Sequence, residues 1–401
     1  MPYMKILALA CLAAIGSQAQ TFTSLASFNV PYGITPYASL VQGLDGKLYG
    51  TAFAGNADSL DNGFGTVFSI TRSGSLTPIY YFCSQPVCAD GDSPKAAVLQ
   101  ATDGNLYGTT EDGGSGSNPS GTVFRLTPEG TLTTLFTFDG PNGGGPVGPL
   151  IQASDGTFYG TTEVGGTHPF DGTILKITRT GTLTTLFNFA LTDGADPNSL
   201  VEGSDGDLYG STPDGGANRL GTIFKLTPSG TFTVLFTFAM TDGAFPTPLV
   251  RGRDGNLYGC TASGGGGDGT VFSITPAGDL TTIHRFDGTD GQYATGGLVQ
   301  GTDGKFYGTT SVGGANNLGT IFQITPAGAF QTLHSFSGPD GYQPSAALVQ
   351  DTDGNFYGTT PSGGTAGLGT VFELSMGLSP FVETLVRAAQ AGALVQILGR
   401  I

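Results

Sequence analysis

The feature that most constrains the fold of this chain is a motif, Asp-Gly-x-(Leu/Phe)-Tyr-Gly, that occurs seven times along it. The tyrosines of consecutive copies are 49 to 58 residues apart. They are Tyr49, Tyr107, Tyr159, Tyr209, Tyr258, Tyr307 and Tyr357. Repeats of this length indicate a solenoid, a propeller or another stacked array, in which each unit buries its apolar faces against its neighbours.

Each repeat has the pattern of four short strands. In the unit that begins at Leu200, apolar and polar residues alternate in four segments rich in Thr, Phe and Leu, as strands prefer. The segments are residues 200–203, 208–212, 221–227 and 231–238. Asp205-Gly206 separates the first two, and this dipeptide favours a type I′ turn with positive φ at both positions. We therefore predict that each unit is a four-stranded antiparallel meander.

The two ends of the repeat array complement each other. The last repeat has segments for three strands and changes composition after Met376, while residues 21–28 match the fourth-strand segment 231–238. A ring needs this exchange because radial closure removes exposed strand edges, whereas a linear solenoid needs polar caps. We predict an all-β, seven-bladed β-propeller over residues 20–376, closed where the N-terminal strand joins the last blade.

The repeats resemble the GloVer repeats, a glycine-rich tandem family of bacterial exported proteins. The matching pattern is Asp-Gly-x-Leu/Phe-Tyr-Gly-Thr-Thr, then Gly-Gly, then Gly-Thr-Val/Ile-Phe-x-Leu/Ile-Thr-Pro-x-Gly, and residues 303–328 carry all of it. The resemblance covers residues 40–376. It implies a secreted or cell-surface location, and it implies no established activity.

Residues 1–19 have the pattern of a cleaved signal peptide. Lys5 supplies a positive charge, an apolar run follows, and Ser17-Gln18-Ala19 offers a small-x-small cleavage sequence. The run is shorter than the roughly 20 apolar residues that span a bilayer, and no later segment is long enough. We therefore expect an exported protein without a membrane span after cleavage.

Residues 377–401 form a different segment from the repeats. Their two apolar stretches, 379–385 and 392–399, resemble the opening of an immunoglobulin-like IPT/TIG domain. Such a sandwich needs about 100 residues, so we predict a linker and a truncated remnant. The alternative is a short amphipathic tail that is helical over residues 380–391.

Charge and cysteine content limit the partners and the compartment. The net charge is -16, which leaves no basic footprint for nucleic acid, and we expect a monomer without a cofactor. Cys83 and Cys88 flank a short loop and favour a local disulfide in an oxidising compartment, with two free thiols as the alternative. Cys260 stands where other repeats have Thr or Ser, so we expect a packed strand residue.

Aspartates recur in every repeat and raise the question of a metal site. One series precedes Gly in each motif, as Asp45 and Asp353 do, and a second lies between repeats, as Asp193 and Asp290 do. Calcium needs about six to eight oxygens around one point, which one Asp per repeat does not supply. We interpret both series as turn residues and expect no metal.

Candidate binding residues lie where the repeats differ. Variable loops carry Tyr32, Phe170, Phe245, Tyr293 and Tyr342, and their Asp and Asn neighbours suit the stacking of sugar rings. One polar position of the predicted innermost strand holds Gln42, Gln100, Gln152, Glu202, Arg251, Gln300 and Gln350. These side chains either face water in a central channel or form hydrogen bonds between blades. The Glu and Arg members break the pattern in adjacent blades, as a specific site would.

Two functions of different classes fit these observations. The scaffold is uniform, its loops vary, and the sequence has no nucleophile elbow, zinc spacing or phosphate loop. These observations favour a non-catalytic propeller that binds a polysaccharide or a cell-surface component. The alternative is a carbohydrate-active lyase or hydrolase with loop carboxylates near the central channel, because their spacing is invisible in sequence. Of the three histidines, His284 and His334 replace a strand Phe and should be half-buried, whereas His168 lies in a variable loop.

Overall fold

The computed structural model describes residues 20–55, 64–116, 118–387 and 394–400. These residues contain seven antiparallel sheets with four main strands each, arranged as the blades of a closed ring. The prediction of an all-β, seven-bladed propeller is therefore confirmed. The predicted signal peptide, residues 1–19, lies outside the described residues.

Strands are numbered within each blade from the central channel outward. Blade 1 contains Val41–Gln42, Leu48–Ala52, Thr66–Ile70 and Leu76–Tyr81. Blade 2 contains Leu99–Gln100, Leu106–Thr110, Thr122–Leu126 and Leu132–Thr137. Blade 3 contains Ile151–Gln152, Phe158–Thr162, Thr173–Ile177 and Leu183–Asn188. Blade 4 contains Leu200–Glu202, Leu208–Thr212, Thr222–Leu226 and Phe232–Thr237.

The remaining blades follow the same order. Blade 5 contains Val250–Arg251, Leu257–Ser263, Thr270–Ile274 and Leu280–Arg285, with an added strand, Ala244–Pro246, beside its second strand. Blade 6 contains Val299–Gln300, Phe306–Thr310, Thr320–Ile324 and Phe330–Ser335. Blade 7 contains Val349–Gln350, Phe356–Thr360, Thr370–Ser375 and, as its fourth strand, Thr21–Ser27. Two short 3-10 helices are Val30–Tyr32 and Pro86–Cys88.

The N-terminal strand closes the ring as predicted. It pairs antiparallel with the third strand of blade 7, with Thr21 opposite Ser375 and Ser24 opposite Phe372. Phe28 follows the strand and is fully buried, as is Phe138 at the matching position of blade 2. The exchange therefore gives blade 7 the same packing layer as the blades that are continuous in sequence.

The turn between the first two strands differs from the predicted type I′ turn. In blade 4, Gly206 has a φ of 81°, but Asp205 has no positive φ. The Gly206 N–H donates to the Gly203 carbonyl at 3.2 Å, and the Gly203 N–H donates to Asp207. A turn with one left-handed residue after it fits these bonds, and only the glycine needs the left-handed conformation. The type I′ prediction was therefore wrong.

The Asp of each motif instead uses its carboxylate. One oxygen accepts the backbone N–H two residues later, and the other accepts the hydroxyl of the motif Tyr, as Asp103 does from Asn105 and Tyr107 at 3.1 and 2.8 Å. The Tyr–Asp bond occurs in all seven described repeats. Burial, helped by the bond to Asp103, raises the pKa of Tyr107 to about 12. The recurrent Asp is thus a turn residue, as predicted, and it also anchors the tyrosine.

The apolar core consists of clusters between neighbouring blades. Between blades 6 and 7, Tyr307 packs on Phe356 with ring centroids 4.1 Å apart, and Phe336 and Phe372 complete the layer. The motif tyrosines are at most 2% exposed, so they belong to the packing layers between blades. Each blade buries both of its faces only because another blade lies on each side.

A hydroxyl on the second strand also joins adjacent blades. Thr51 Oγ1 donates to the Ala96 carbonyl of the next blade at 2.9 Å, and Thr359 of blade 7 donates to Ala38 of blade 1 at 3.0 Å. Within the described residues, blade 5 is the exception because it has Cys260 at this position. That thiol is fully buried, as expected for a packed strand residue.

The divergent connection between blades 1 and 2 is closed by a disulfide between Cys83 and Cys88. Inside the loop, the Asp90 carboxylate is fully buried and accepts the hydroxyls of Tyr80 and Ser84 and the Gln85 N–H. The carboxylate therefore organises the loop together with the covalent bridge.

The C-terminal segment forms a two-stranded antiparallel sheet, Phe381–Arg387 with Leu394–Arg400. The helical alternative for residues 380–391 was therefore wrong over Phe381–Arg387, and residues 388–391 lie outside the described residues. The IPT/TIG-like remnant stays a prediction, since a hairpin is common to many folds. Among the residues that the structure describes, no helix has the length and apolarity required to cross a bilayer.

Candidate functional site

The connections between blades and the loops between second and third strands lie on one face of the ring, here called the upper face. Isolated bridges tie the two kinds of loop together, as between Asp92 and Asp112 or Ala195 and Asp214. The motif turns lie at the opposite end of the strands. Sequence variation is therefore concentrated on the upper face, where binding and catalytic residues are usually placed on a rigid scaffold.

Seven residues of the upper face share one unusual backbone conformation and are here called the display ring. They come one from each blade and have φ between 53° and 59°. They are Thr35, Ser93, Gly145, Asp196, Phe245, Tyr293 and Gln343. A bulky residue with positive φ is an outlier, and outliers of this kind cluster at functional sites. The conformation is the same in every blade, whereas the side chain is different in each.

Neighbouring blades hold the display ring in place through its backbone. The Ser93 N–H donates to Phe64 of the preceding blade at 2.8 Å, and the Ser93 carbonyl accepts the Glu111 N–H at 3.1 Å. The same donation to the preceding blade occurs in six of the seven described members. Because these bonds involve only backbone atoms, the ring keeps its geometry whatever side chain it carries.

The aromatic members of the ring form an exposed sector on blades 5 and 6. Phe245 is 42% exposed and Tyr293 is 44% exposed, and Met240 lies exposed in the connection before them. Phe170, in the loop of blade 3, is 77% exposed. Tyr37, which no sequence pattern marked as a candidate, is also exposed and contacts Phe53 edge to face. These side chains are free to meet a ligand.

Two of the predicted aromatic residues are placed differently. Tyr32 is half-buried against the core cluster between blades 7 and 1, and its carbonyl accepts the Thr66 hydroxyl at 3.1 Å. Tyr342 is half-buried in a backbone bridge to Ser362. Both residues support the upper face, whereas Phe245 and Tyr293 project from it.

Carboxylates form a second sector of the upper face on blades 3 and 4. Asp196 of the display ring is half-buried, and burial together with the charges of Glu163, Asp214 and Asp171 raises its pKa to about 6. In blade 2, burial likewise raises the pKa of Glu111, although Lys95 at 3.5 Å opposes the shift. No cluster with a metal-binding arrangement occurs in the described parts of the chain.

The polar position of the first strand forms hydrogen bonds between blades, which decides between the two predicted roles. The Oε1 atom of Gln100 accepts the Leu44 N–H at 2.7 Å, and that of Gln300 accepts the Arg253 N–H at 2.9 Å. In the same way, Gln350 Oε1 of blade 7 accepts the Thr302 N–H, and Gln152 Oε1 of blade 3 accepts the Thr102 N–H. These glutamines therefore join the lower end of each blade to its neighbour.

Glu202 and Arg251 do not form a joint site. Glu202 accepts two hydrogen bonds from Ser154 of blade 3, so it replaces glutamine in the same inter-blade role. Arg251 has no acceptor atom and is exposed, and no ion pair in the described residues joins it to Glu202. Glu202 therefore makes the usual inter-blade contact with a different side chain, whereas Arg251 has lost that contact.

The histidines take structural positions. His284 Nε2 lies 2.8 Å from Asp290, and its ring stacks on Phe330, as His334 stacks on Phe22. Both side chains are about one-fifth exposed, in agreement with the predicted half-burial. His168 Nδ1 hydrogen-bonds the Phe189 carbonyl at 2.9 Å. Each histidine therefore has a partner in the scaffold.

A cavity of about 320 Å³ occupies the upper end of the central channel. Residues from all seven blades line it, mostly Ala, Gly, Pro and aliphatic side chains. Its polar lining comes from Tyr37, Ser39, Lys95, Ser199, Thr295 and Ser345. The lining residues in the described part of the chain include no carboxylate. The cavity is at the lower end of the size range of small-molecule sites.

Comparison with known proteins gives a family and a fold. The Gloeobacter/Verrucomicrobia repeat matches residues 12–200, 115–301 and 266–396, which together span nearly the whole chain. A virginiamycin B lyase from Staphylococcus aureus, solved as a catalytically inactive histidine-to-alanine variant with quinupristin, is 18% identical with a TM-score of 0.62. The match covers 89% of this chain and 99% of that chain.

A second solved structure is also similar. It is a putative 6-phosphogluconolactonase from Bacteroides uniformis, 15% identical, with a TM-score of 0.52 over 77% of this chain and 85% of that chain. Identities this low establish the shared fold and leave activity open. No curated protein matches the chain.

Proposed function

Because the chain belongs to the Gloeobacter/Verrucomicrobia repeat family, we propose that it is an exported, non-catalytic propeller that binds glycans through its upper face. The observation that carries the proposal is the display ring. Its members have the same backbone geometry and different side chains, from Gly145 to Tyr293. A fixed framework with variable side chains is the arrangement of a recognition surface.

The chemistry of the upper face suits sugars. The exposed rings of Phe245 and Tyr293 offer flat apolar surfaces for stacking on the faces of sugar rings. The carboxylates around Asp196 offer acceptors for hydroxyl groups. With a net charge of -16, the protein repels anionic polymers, so neutral or amino-bearing glycans are favoured.

Export is proposed from the sequence of residues 1–19 and is supported by the disulfide between Cys83 and Cys88, since disulfides persist in oxidising compartments. Expression of the whole chain in a bacterial host should yield an exported protein that begins near Gln20. Leu9→Arg, which interrupts the apolar run, should keep the protein inside the cell. Equal export of both forms would contradict the proposal.

A carbohydrate-active enzyme is the second candidate, and one observation favours it. The pKa of Asp196, raised to about 6, is suited to a group that exchanges protons near neutral pH. The central cavity, however, has no carboxylate among the described residues that line it, so this acid lies outside that cavity. The non-catalytic function is therefore preferred.

The decisive experiment is a binding panel of polysaccharides with matched variants. Phe245→Asn with Tyr293→Asn removes both rings, and Asn tolerates the left-handed conformation, so the fold should persist. Thr35→Asn with Gln343→Asn changes two equivalent positions without removing an aromatic ring and is the control. We expect at least a tenfold loss of glycan affinity in the first double variant and little change in the second.

Two results would contradict this function. If the aromatic double variant binds the glycan as tightly as the control double variant, the display ring is not the recognition surface. Release of reducing ends or unsaturated products from any polysaccharide by the wild-type protein, abolished by Asp196→Asn, would establish the enzyme instead.

A further inference from the structure

We propose that the central cavity binds the terminal sugar residue of a glycan, so that the protein recognises chain ends. The inference rests on the proposed glycan-binding function and adds the part of the glycan that is recognised. It starts from the shape of the cavity. Because all seven blades contribute to its wall, the cavity is surrounded around the channel axis and is open toward the upper face.

This enclosure excludes the interior of a polymer. A chain that lies across the upper face continues in two directions, and an encircling wall leaves no exit for the second direction. A terminal residue, including the end of a side branch, continues in only one direction and can enter from above. The volume of about 320 Å³ suits a single sugar unit with part of the next.

The lining suits a sugar as well. Hydroxyl groups from Ser39, Ser199 and Thr295 can both donate and accept hydrogen bonds, as sugar hydroxyls require. The half-exposed Tyr37 supplies an aromatic ring at the rim, and its contact with Phe53 holds that ring in place. The following units of the glycan would then lie over the aromatic sector of the display ring.

One atom of the lining points to a missing partner. Ser345 Oγ is buried and has no hydrogen-bond partner in the described residues. Buried polar atoms in native proteins are nearly always paired, so an unpaired one needs an explanation. Ser345 is also one of the residues that line the cavity, so a rotation of its side chain would bring this hydroxyl to a sugar hydroxyl bound there and supply the pair.

The cavity is asymmetric, which gives a terminal residue a defined orientation. Between the display ring and the buried leucine at the start of each blade (Leu40, Leu200 or Leu249), blades 4 and 5 have three residues, 197–199 and 246–248, whereas blade 1 has four, 36–39. The rim residues Tyr37, Lys95 and Ser345 therefore have no counterpart in blades 4 and 5. The rim is one residue shorter on blades 4 and 5, beside Phe245, and the next sugar unit would leave the cavity over this shorter part of the rim.

The test uses size series of cello-, xylo-, manno- and chitin oligosaccharides, from disaccharides upward, together with the parent polysaccharides. For recognition of chain ends, calorimetry should give one protein per chain at every length, and hydrolysis of a bound polymer should increase its binding capacity per mass of sugar. For recognition of chain interiors, the number of proteins per chain would increase with length, and this result would overturn the inference.

Variants separate the cavity from the display ring. Ala97→Leu and Ala347→Leu fill the cavity from blades 2 and 7, and each should weaken binding at least tenfold. Ser345→Ala removes the unpaired hydroxyl, so it should weaken binding about two- to tenfold without lowering the unfolding temperature. Ser229→Ala, in the exposed turn between the third and fourth strands of blade 4 and away from the cavity, is the control and should change binding little.

The outcomes distinguish the two proposals. If the aromatic display-ring variants lose binding while both cavity-filling variants, verified as folded by circular dichroism, bind normally, the inference is overturned and the proposed function stands. If none of the probes binds to the wild-type protein, the proposed function fails and the inference fails with it.

Discussion

Gln42 and Thr352 are 310 positions apart in sequence and exchange two hydrogen bonds: Gln42 Nε2 donates to Thr352 Oγ1 at 2.8 Å, and the Thr352 N–H donates to Gln42 Oε1 at 3.2 Å. The contact joins blade 1 to blade 7 with the same geometry that joins blades within the chain. Closure of the ring is therefore made of repeat contacts, which leads to a prediction about the strength of the junction.

Phe28→Ala should destabilise the protein as much as Phe138→Ala does. Both rings are fully buried at equivalent positions, one after the exchanged strand and the other after the fourth strand of blade 2. Removal of a buried Phe side chain costs about 3–5 kcal/mol. Chemical denaturation of the two variants measures the comparison. If Phe28→Ala lowers the free energy of unfolding by less than about 1 kcal/mol while Phe138→Ala lowers it by the expected amount, the strand exchange is refuted.

Arg251→Gln should stabilise the protein. Six of the seven described first strands place an acceptor oxygen on the preceding blade, and Arg251 cannot. A glutamine would complete the set and add about 0.5–1.5 kcal/mol to the free energy of unfolding. The reverse change, Gln300→Arg, should lower it by a similar amount. If Arg251→Gln is neutral while Gln300→Arg is destabilising, position 251 does not share the common geometry.

Asp196→Asn should stabilise the protein at high pH only. The folded-state pKa is raised from 3.8 to about 6, so the folded protein binds this proton more tightly than the unfolded chain does. The associated stability is present below pH 3.8 and is lost as the pH rises through 6. Since the group is half-exposed and water screens it, we expect a gain of about 1 kcal/mol at pH 8 and none at pH 3.5.

Thermal unfolding of wild type and Asp196→Asn across this pH range measures the effect. Asn is nearly isosteric with Asp and tolerates the same left-handed backbone, so packing should not change. Asp171→Asn, in the same sector, is a useful comparison because it removes one of the charges that raise the pKa of Asp196. A pH-independent gain in Asp196→Asn would contradict the assigned shift.

The thiol of Cys260 should be unreactive in the folded protein. It is fully buried, and burial raises its pKa well above the ordinary value, so little thiolate forms at neutral pH. Labelling with an alkylating reagent at pH 8 should follow the rate of global unfolding and become rapid in denaturant. Fast labelling under native conditions would show that the channel-side strands of blade 5 open locally.

The fold was predictable because the repeat occurs seven times in the sequence. Local pattern predicted the four strands, and residues 21–28 could be assigned to the last blade because residues 131–138 carry the same pattern in an intact unit. The turn type was not predictable from Asp-Gly alone. The carboxylate of Asp205 is used by Tyr209, four residues later, and this contact removes the need for positive φ at Asp205.

The candidate site was less predictable, for a physical reason. The display ring is defined by backbone conformation, and its side chains share no property that a sequence motif could record. The available signal was the proline that follows six of the seven members, as after Thr35 and Phe245. The glutamine position had two open roles because a strand of two or three residues does not reveal which way its polar side chain points.

The strand exchange also has a mechanical consequence. Thr21 and Ser375 lie directly opposite each other at one end of an antiparallel pair. A force that separates these two residues acts perpendicular to the strands, so it breaks the hydrogen bonds between the two strands one after another. The ring is therefore weakest under tension at its seam, and blade 7 would part before the other six blades yield.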